Sequence, residues 1–175
     1  MPGRLPLELS ESGKIRAGQL ASTFEGKNIS RIYSSAVERC KQTAEIVSKG
    51  TIPVLYDQRL LETLSAYQGF WGENKTEDGF HFFIHRSELG GESLVDIQVR
   101  MKSFWEEITQ ELKDNIIICS HGDPLQVLYS TIHGMNLVDD NDIEENIPGW
   151  LEKGEFFEIS WHEGKIVSTS SPKTA

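Results

Sequence analysis

Residues 115–124, Asn-Ile-Ile-Ile-Cys-Ser-His-Gly-Asp-Pro (NIIICSHGDP), set a histidine just past a run of branched apolar residues. The run is continuous rather than alternating, the pattern of a strand buried on both faces of a parallel sheet. Asp123 and Pro124 supply a helix N-cap and first turn, so the stretch reads strand, tight turn, helix, with the helix running to about His133. His121 therefore leaves the sheet at a strand's carboxyl end and stands before a helix N-terminus, whose free N–H groups and dipole favour an anion. Gly122 removes a side chain where something must approach the backbone closely. A histidine so placed can donate to a phosphoryl oxygen as charge builds on it. It can equally satisfy loop carbonyls, and this motif alone leaves both readings open.

Working outward, SGKIRAGQLASTF carries Ile15, Leu20, Ala21 and Phe24 at near-helical spacing and predicts a helix from Ser12 to about Phe24. RIYSS is a short strand ending in two serines. SAVERCKQTAEIV then opens with Ser35-Ala36-Val37-Glu38, a capping-box pattern, and continues as a helix to about Ser48. Pro53–Tyr56 reads as a strand, whereas 65–91, rich in glycine and aromatics, has no clear period. Leu94, Ile97, Met101, Phe104, Trp105, Ile108 and Leu112 mark a long amphipathic helix after GGES. GEFFEISWHEGKIVSTS reads as two strands around Glu163-Gly164, with Phe157, Ile159 and Trp161 on one face. Strands alternate with helices until that hairpin, which predicts an α/β sandwich with a mainly parallel sheet, organised as a single domain over 1–175. In such sheets ligands collect at the carboxyl ends of the strands, so the turn Ser34-Ser35 leading to Arg39 and the turn Ser120-His121-Gly122 converge on one site.

Composition narrows the partners. A net charge of -10 on 175 residues argues against nucleic acid and anionic membrane surfaces, but admits a phosphorylated small molecule where a few cations converge. Cys40 and Cys119 lie in apolar surroundings without metal-ligand spacing and read as core residues of a protein in a reducing compartment. With no membrane-spanning stretch and no secretory pattern, the expected location is cytoplasmic.

Further residues are candidates. Arg39, near the start of its helix, points a bidentate guanidinium toward the same sheet edge as His121, though a surface role beside Glu38 and Glu45 would also explain it. Glu62, in QRLLETLS, follows a strand and can protonate a leaving group if burial or a nearby anion raises its pKa. His81 and His85, four apart, invite a metal, but no third ligand is evident and none is expected. Glu92 and Ser93 are explained by opening a helix, His133 by ending one, and His162 by a turn.

Together LSESG (9–13), SSAVERCKQTAEI (34–46), LLE (60–62), GGES (90–93) and SHGD (120–123) resemble the histidine phosphatase superfamily, the phosphoglycerate mutase-like enzymes. The resemblance covers about Pro6 to Leu128. It implies a three-layer α/β/α sandwich and phosphoryl transfer through a phosphohistidine, with no metal or organic cofactor. By position it makes His121 and Glu62 catalytic, as phosphoryl stabiliser and proton donor. Arg39 becomes a phosphate ligand, and Glu92, Ser93 and Gly122 line the substrate pocket. The compact segment between Glu62 and GGES favours a phosphatase over the alternative, a phosphoglycerate mutase. The partner is then a phosphorylated small molecule or phosphate, and a homodimer is left open.

The resemblance also implies a first strand ending in Arg-His-Gly, whose histidine attacks phosphorus. This chain opens MPGRLPLELSESG, similar to the segment after that motif, and contains no Arg-His pair; His85-Arg86 is reversed. The expectation is a chain with the first strand missing and little or no phosphatase activity. Either Met1 is an internal methionine of a longer active protein, or this is a natural pseudophosphatase that binds phosphorylated ligands or a protein partner. The strands ending at Ser34 and Cys119 are expected to close up, or another segment or chain to fill the gap. A third reading is an interaction module with Tyr67, Phe70, Trp71, Phe80, Phe82 and Phe83 as a partner surface.

Overall fold

In the computed structural model residues 3–65, 68, 90–110, 113–135, 137, 151–162 and 165–175 are described. His81, His85 and the aromatics from Tyr67 to Phe83 lie outside these residues, as does the turn at Glu163-Gly164. Among the described residues five strands and four α-helices follow in the order α1 (Glu11–Thr23), β1 (Ile29–Ser34), α2 (Glu38–Ser48), β2 (Val54–Tyr56), α3 (Leu94–Gln110), β3 (Asn115–Cys119), α4 (Gly122–Ile132), β4 (Ile159–His162) and β5 (Lys165–Thr169). The sheet β2-β1-β3 is wholly parallel, and β4 pairs antiparallel with β5.

Alternation along the strands builds two cores, because successive side chains of a strand point to opposite faces. Tyr33, Ile116 and Ile118 pack against Leu94, Ile97, Met101 and Phe104 of α3 and Val127 and Leu128 of α4. Ile32, Ile117 and Cys119 face the other way, toward Leu20 of α1 and Ala44 and Val47 of α2. The result is helices on both faces of one sheet, the α/β/α sandwich expected.

Some expectations need correction in detail. Ile15 is 65% exposed; the buried face of α1 is Ala17, Leu20 and Ala21, small enough to let α1 lie against α2. α1 begins at Glu11, one residue before the predicted start at Ser12, and Ser10 caps it, accepting from Gly13 N at 3.2 Å. β3 is not buried through: residues 116–119 are all half-buried, whereas Ile32 of β1 is wholly buried. β1 and β3 lie side by side, with Ile32 opposite Ile117 and Ser34 opposite Cys119, so no slot separates them.

Phe104 is a fully buried element of the first core, edge-on to Tyr33 at 5.5 Å with the Arg59 guanidinium over its face. Phe104→Ala is expected to cost about 3–5 kcal/mol of unfolding free energy. Val99→Ala, on the exposed face of the same helix, is expected to stay within about 0.5 kcal/mol. Urea unfolding of both variants checks the contrast, and equal losses would mean that α3 buries a different face.

Candidate active site

Parallel pairing of β1 with β3 carries the two strand ends to the same edge, and Ser35 N continues the ladder by donating to Cys119 O at 2.9 Å. The turns that leave the two strands therefore meet. His121 Nε2 lies 2.9 Å from Ser35 Oγ, and Arg39 Nη2 lies 2.7 Å from His121 Nδ1. An arginine N–H can only donate, so Nδ1 accepts, the ring is neutral, and the Nε2 proton goes to Ser35 Oγ. Arg39 Nη2 also contacts Glu62 Oε2 at 3.1 Å and Gly3 O at 2.9 Å. Its Nη1 is buried and makes no hydrogen bond among the described residues. Three of the predicted residues, Arg39, Glu62 and His121, are thus in mutual contact.

Ser35 does not cap α2 as its sequence pattern suggests. The helix begins at Glu38 with Val37 at the N-cap, and no side chain caps it. Starting the helix later leaves the Ser35 hydroxyl free to accept from Val37 N at 3.2 Å and to hold the imidazole. At α4 the N-cap is His121 itself, not Asp123. Asp123 falls in the first turn, where its carboxylate suits the helix dipole and accepts from Thr63 Oγ1 at 3.2 Å. Gly122 opens α4, and Ser120 ties the turn to the segment before Glu62 by donating to Leu60 O at 2.7 Å.

Glu92 joins two guanidiniums that sequence reading did not single out. Arg4 Nη2 reaches Glu92 Oε2 at 2.9 Å, Arg100 Nε reaches Oε1 at 2.8 Å, and Leu64 N donates to Oε2 at 2.8 Å. Arg4 Nε also donates to the backbone carbonyl of Glu62 at 2.7 Å, so the cluster reaches the residue whose carboxylate meets Arg39. Ser93, by contrast, forms a reciprocal cap with Asp96: its Oγ donates to Oδ2 at 2.7 Å and accepts from Asp96 N at 3.2 Å. Arg100 had one legible signal, a cation directly beside the apolar stripe of α3; Arg4, in an irregular N-terminal stretch, had none. His133 stacks on Tyr129 and bonds Thr169 Oγ1 at 3.0 Å, a structural role.

Burial, reinforced by the positive charge of Arg39, Arg100 and Arg4, pushes the His121 pKa down to about 3. The unfolded imidazole titrates near 6.5, so between about pH 6.5 and 3 the unfolded chain binds a proton that the native ring refuses. Native stability contributed by this site therefore falls as pH drops through that window. In ring-nitrogen NMR the His121 signals are expected to stay those of a neutral Nε2–H imidazole from pH 8 to pH 5. A titration midpoint above pH 6 would contradict the tautomer held between Arg39 and Ser35. The same site predicts that Glu92→Ala loses about 1–3 kcal/mol in urea unfolding, since two guanidiniums and an amide lose their acceptor.

Comparison with known proteins places this chain in a family. A family model described as histidine phosphatase superfamily (branch 1) matches residues 1–147. Phosphoserine phosphatase 1 of Hydrogenobacter thermophilus is 30% identical over 148 residues, spanning 77% of this chain and 69% of that protein. A probable phosphatase of Schizosaccharomyces pombe is 26% identical over 179 residues, 99% of this chain and 77% of the relative. Among solved structures, a mycobacterial glucosyl-3-phosphoglycerate phosphatase in complex with VO3 superposes with a TM-score of 0.80 at 22% identity, covering 99% of this chain and 89% of the other. An Entamoeba histolytica phosphoserine phosphatase in complex with 3-phosphoglyceric acid gives 0.77 at 18% identity, covering 100% and 88%. The structures share the fold; the sequence matches carry the kinship, and the chain belongs to the histidine phosphatase superfamily.

Proposed function

We propose that this chain supplies the phosphate-holding part of a phosphomonoester phosphatase acting on small phosphorylated metabolites, with little or no hydrolytic activity of its own. The observation that carries the reading is the contact of Arg39, His121 and Glu62 over the mouth of α4. Arg39 offers a planar fork of donors at fixed charge, one of them buried and without a hydrogen bond among the described residues. A bound phosphoryl group takes over the anionic place now held against Arg39 Nη2 by the Glu62 carboxylate. Its negative charge next to Nδ1 favours the protonated imidazole and so turns His121 into a second donor. Glu62, displaced from Arg39 and left beside the phosphoryl charge, takes up a proton from solvent and is then set to protonate the leaving oxygen.

In the full reaction a nucleophilic imidazole forms an N–P bond as the ester P–O bond breaks, and the leaving oxygen takes the proton of Glu62. Water then attacks phosphorus, breaks the N–P bond and releases inorganic phosphate. No described imidazole is placed for that attack: His121 is the electrostatic partner, and His133 and His162 belong to the far part of α4 and to β4. Losing a nucleophile costs several orders of magnitude in rate. A phosphatase rather than a mutase is favoured by the names of the relatives, which make small phosphorylated acids such as phosphoserine the first substrates to try. Free Cys40 and Cys119 fit the reducing cytoplasm.

Inorganic phosphate titrated in amide NMR is expected to perturb His121, Gly122 and the start of α2. Arg39→Ala should weaken binding about 10- to 100-fold, the worth of a charge-assisted fork. Phosphoserine hydrolysis should stay near the uncatalysed blank. Robust turnover that His121→Ala abolishes would overturn the inactivity, and phosphate binding indifferent to Arg39 would overturn the site.

A further inference from the structure

The chain has two cysteines, and the fold brings them together at the roots of the site. Cys119 ends β3 two residues before His121, and Cys40 lies in the first turn of α2, next to Arg39. They are 79 residues apart, yet Cys119 Sγ donates to Cys40 O at 3.7 Å and Cys40 Sγ donates to Ser120 O at 3.3 Å. The two thiols are also within hydrogen-bond reach of each other, and Cys40 Sγ lies 3.6 Å from His121 Nε2. Cys119 packs against the core of Ile32, Ala44 and Val47, where any small apolar side chain would fill the space. Two sulfurs in contact add a chemistry that such a filler lacks.

The surroundings make the two thiols unequal. Cys40 is only 5% exposed, whereas Cys119 is half-buried. The hydrogen bond from Cys40 holds the Cys119 thiol below its ordinary pKa, against its burial and with help from Ser34. The same bond, together with burial, pushes the Cys40 thiol up. Cys119 is therefore the readier thiolate, and it is the thiolate that attacks an oxidant. Cys40 stands beside it as the thiol that resolves the product. A reducing compartment keeps both thiols free at rest, and the disulfides that do form there are transient and redox-sensing.

We propose that Cys40 and Cys119 form a peroxide-sensitive pair, which closes an intramolecular disulfide between the first turn of α2 and the end of β3. The Cys119 thiolate attacks one oxygen of a hydroperoxide: the S–O bond forms as the O–O bond breaks, and the leaving oxygen takes a proton. Cys40 then attacks the Cys119 sulfur. The S–S bond forms, the S–O bond breaks, and hydroxide leaves as water with the Cys40 proton. With hydrogen peroxide, two thiols and one peroxide give one disulfide and two waters. The sulfurs close to about 2.0 Å, which draws the backbone of Cys40 toward β3 and takes Arg39 with it. The functional half of the proposal rests on the proposed phosphate site: the Arg39 guanidinium leaves His121 Nδ1, and the two no longer share one anion.

The probe is hydrogen peroxide added to the folded full chain. The intact mass is expected to fall by two hydrogen atoms, both thiols to become unreactive in denaturant, and dithiothreitol to restore them. Cys40→Ser should leave Cys119 as a sulfenic acid that dimedone labels, and Cys119→Ser should react with peroxide at least tenfold more slowly than Cys40→Ser. A mass that only rises by oxygen atoms, or a disulfide found only between two chains, would overturn the pair; both are read on the unaltered protein. Equal peroxide rates for the two variants would overturn Cys119 as the attacking thiol. Phosphate titration tests the functional half. The oxidised chain is expected to bind inorganic phosphate at least tenfold more weakly than the reduced one, the worth of one charge-assisted hydrogen bond, with recovery on reduction. Equal phosphate binding by both forms keeps the disulfide and overturns its effect on the site. A reduced chain that binds no phosphate overturns the phosphate site and that effect with it, while the disulfide stands or falls on mass alone.

Discussion

Everything at this site depends on one backbone constraint, the parallel register of β1 with β3. Parallel strands end at the same edge, and here they end level: Ser34 lies opposite Cys119, and the first residue past β1 donates to the last residue of β3. Just beyond the two strand ends stand Ser35 and His121, which bond to each other, and four residues beyond Ser35 the first full turn of α2 swings Arg39 onto the same imidazole. A register slip of one residue would exchange the faces of β3, sending Ile117 into the core of α3 and α4. The two apolar cores therefore guard the alignment of the polar site at the sheet's edge.

The electrostatics are set by the same packing. His121 is nearly wholly buried and is approached by Arg39, with Arg4 and Arg100 behind it. Such a ring stays neutral, and a neutral ring with its proton on Nε2 presents a lone pair, not a donor, to whatever lies at Nδ1. The site at rest is thus not preset for an oxyanion on the histidine side. On the phosphate-binding function proposed, an arriving anion makes the second proton favourable and so links binding of the ligand to protonation of the ring.

Much of this was legible in the chain. The continuous apolar run of β3, the helix-opening Gly-Asp-Pro and the Ser-Ser turn are local signals, and they located the strand ends correctly because buried parallel strands have little other way to be written. Arg39 and His121 could be joined because topology, not sequence distance, decides which turns meet. Less could be read where one pattern serves two structures. Ser35-x-x-Glu38 is a capping box by spacing, yet its serine holds an imidazole and the helix starts three residues later. Ser93 caps α3 through Asp96, a partner three residues on that any N-terminus would share. Arg4 carries no periodic or capping pattern, so its role exists only in the folded contact with Glu92. The half-exposed edge of β3 is invisible for the same reason: a sequence records a strand's faces through alternation, but not how many of its edges are paired.

The ion cluster itself explains how such a pocket remains folded without ligand. Guanidiniums gathered under a sheet edge would repel one another and face desolvation unless counter-charged. Glu62 and Glu92 supply that compensation at hydrogen-bond distance, Glu92 between Arg4 and Arg100 and Glu62 against Arg39. The two carboxylates differ in how firmly they are held. Glu92 accepts from two guanidiniums and the Leu64 amide, whereas Glu62 accepts from the Thr63 amide at 3.0 Å and from one guanidinium, at 3.1 Å, through a nitrogen shared with Gly3 and His121. An incoming dianion competes with the weaker of them. In the function proposed, it takes the place of Glu62 on Arg39 and leaves Glu92 undisturbed, so the carboxylate that counter-charges Arg39 is also the one released beside the leaving oxygen.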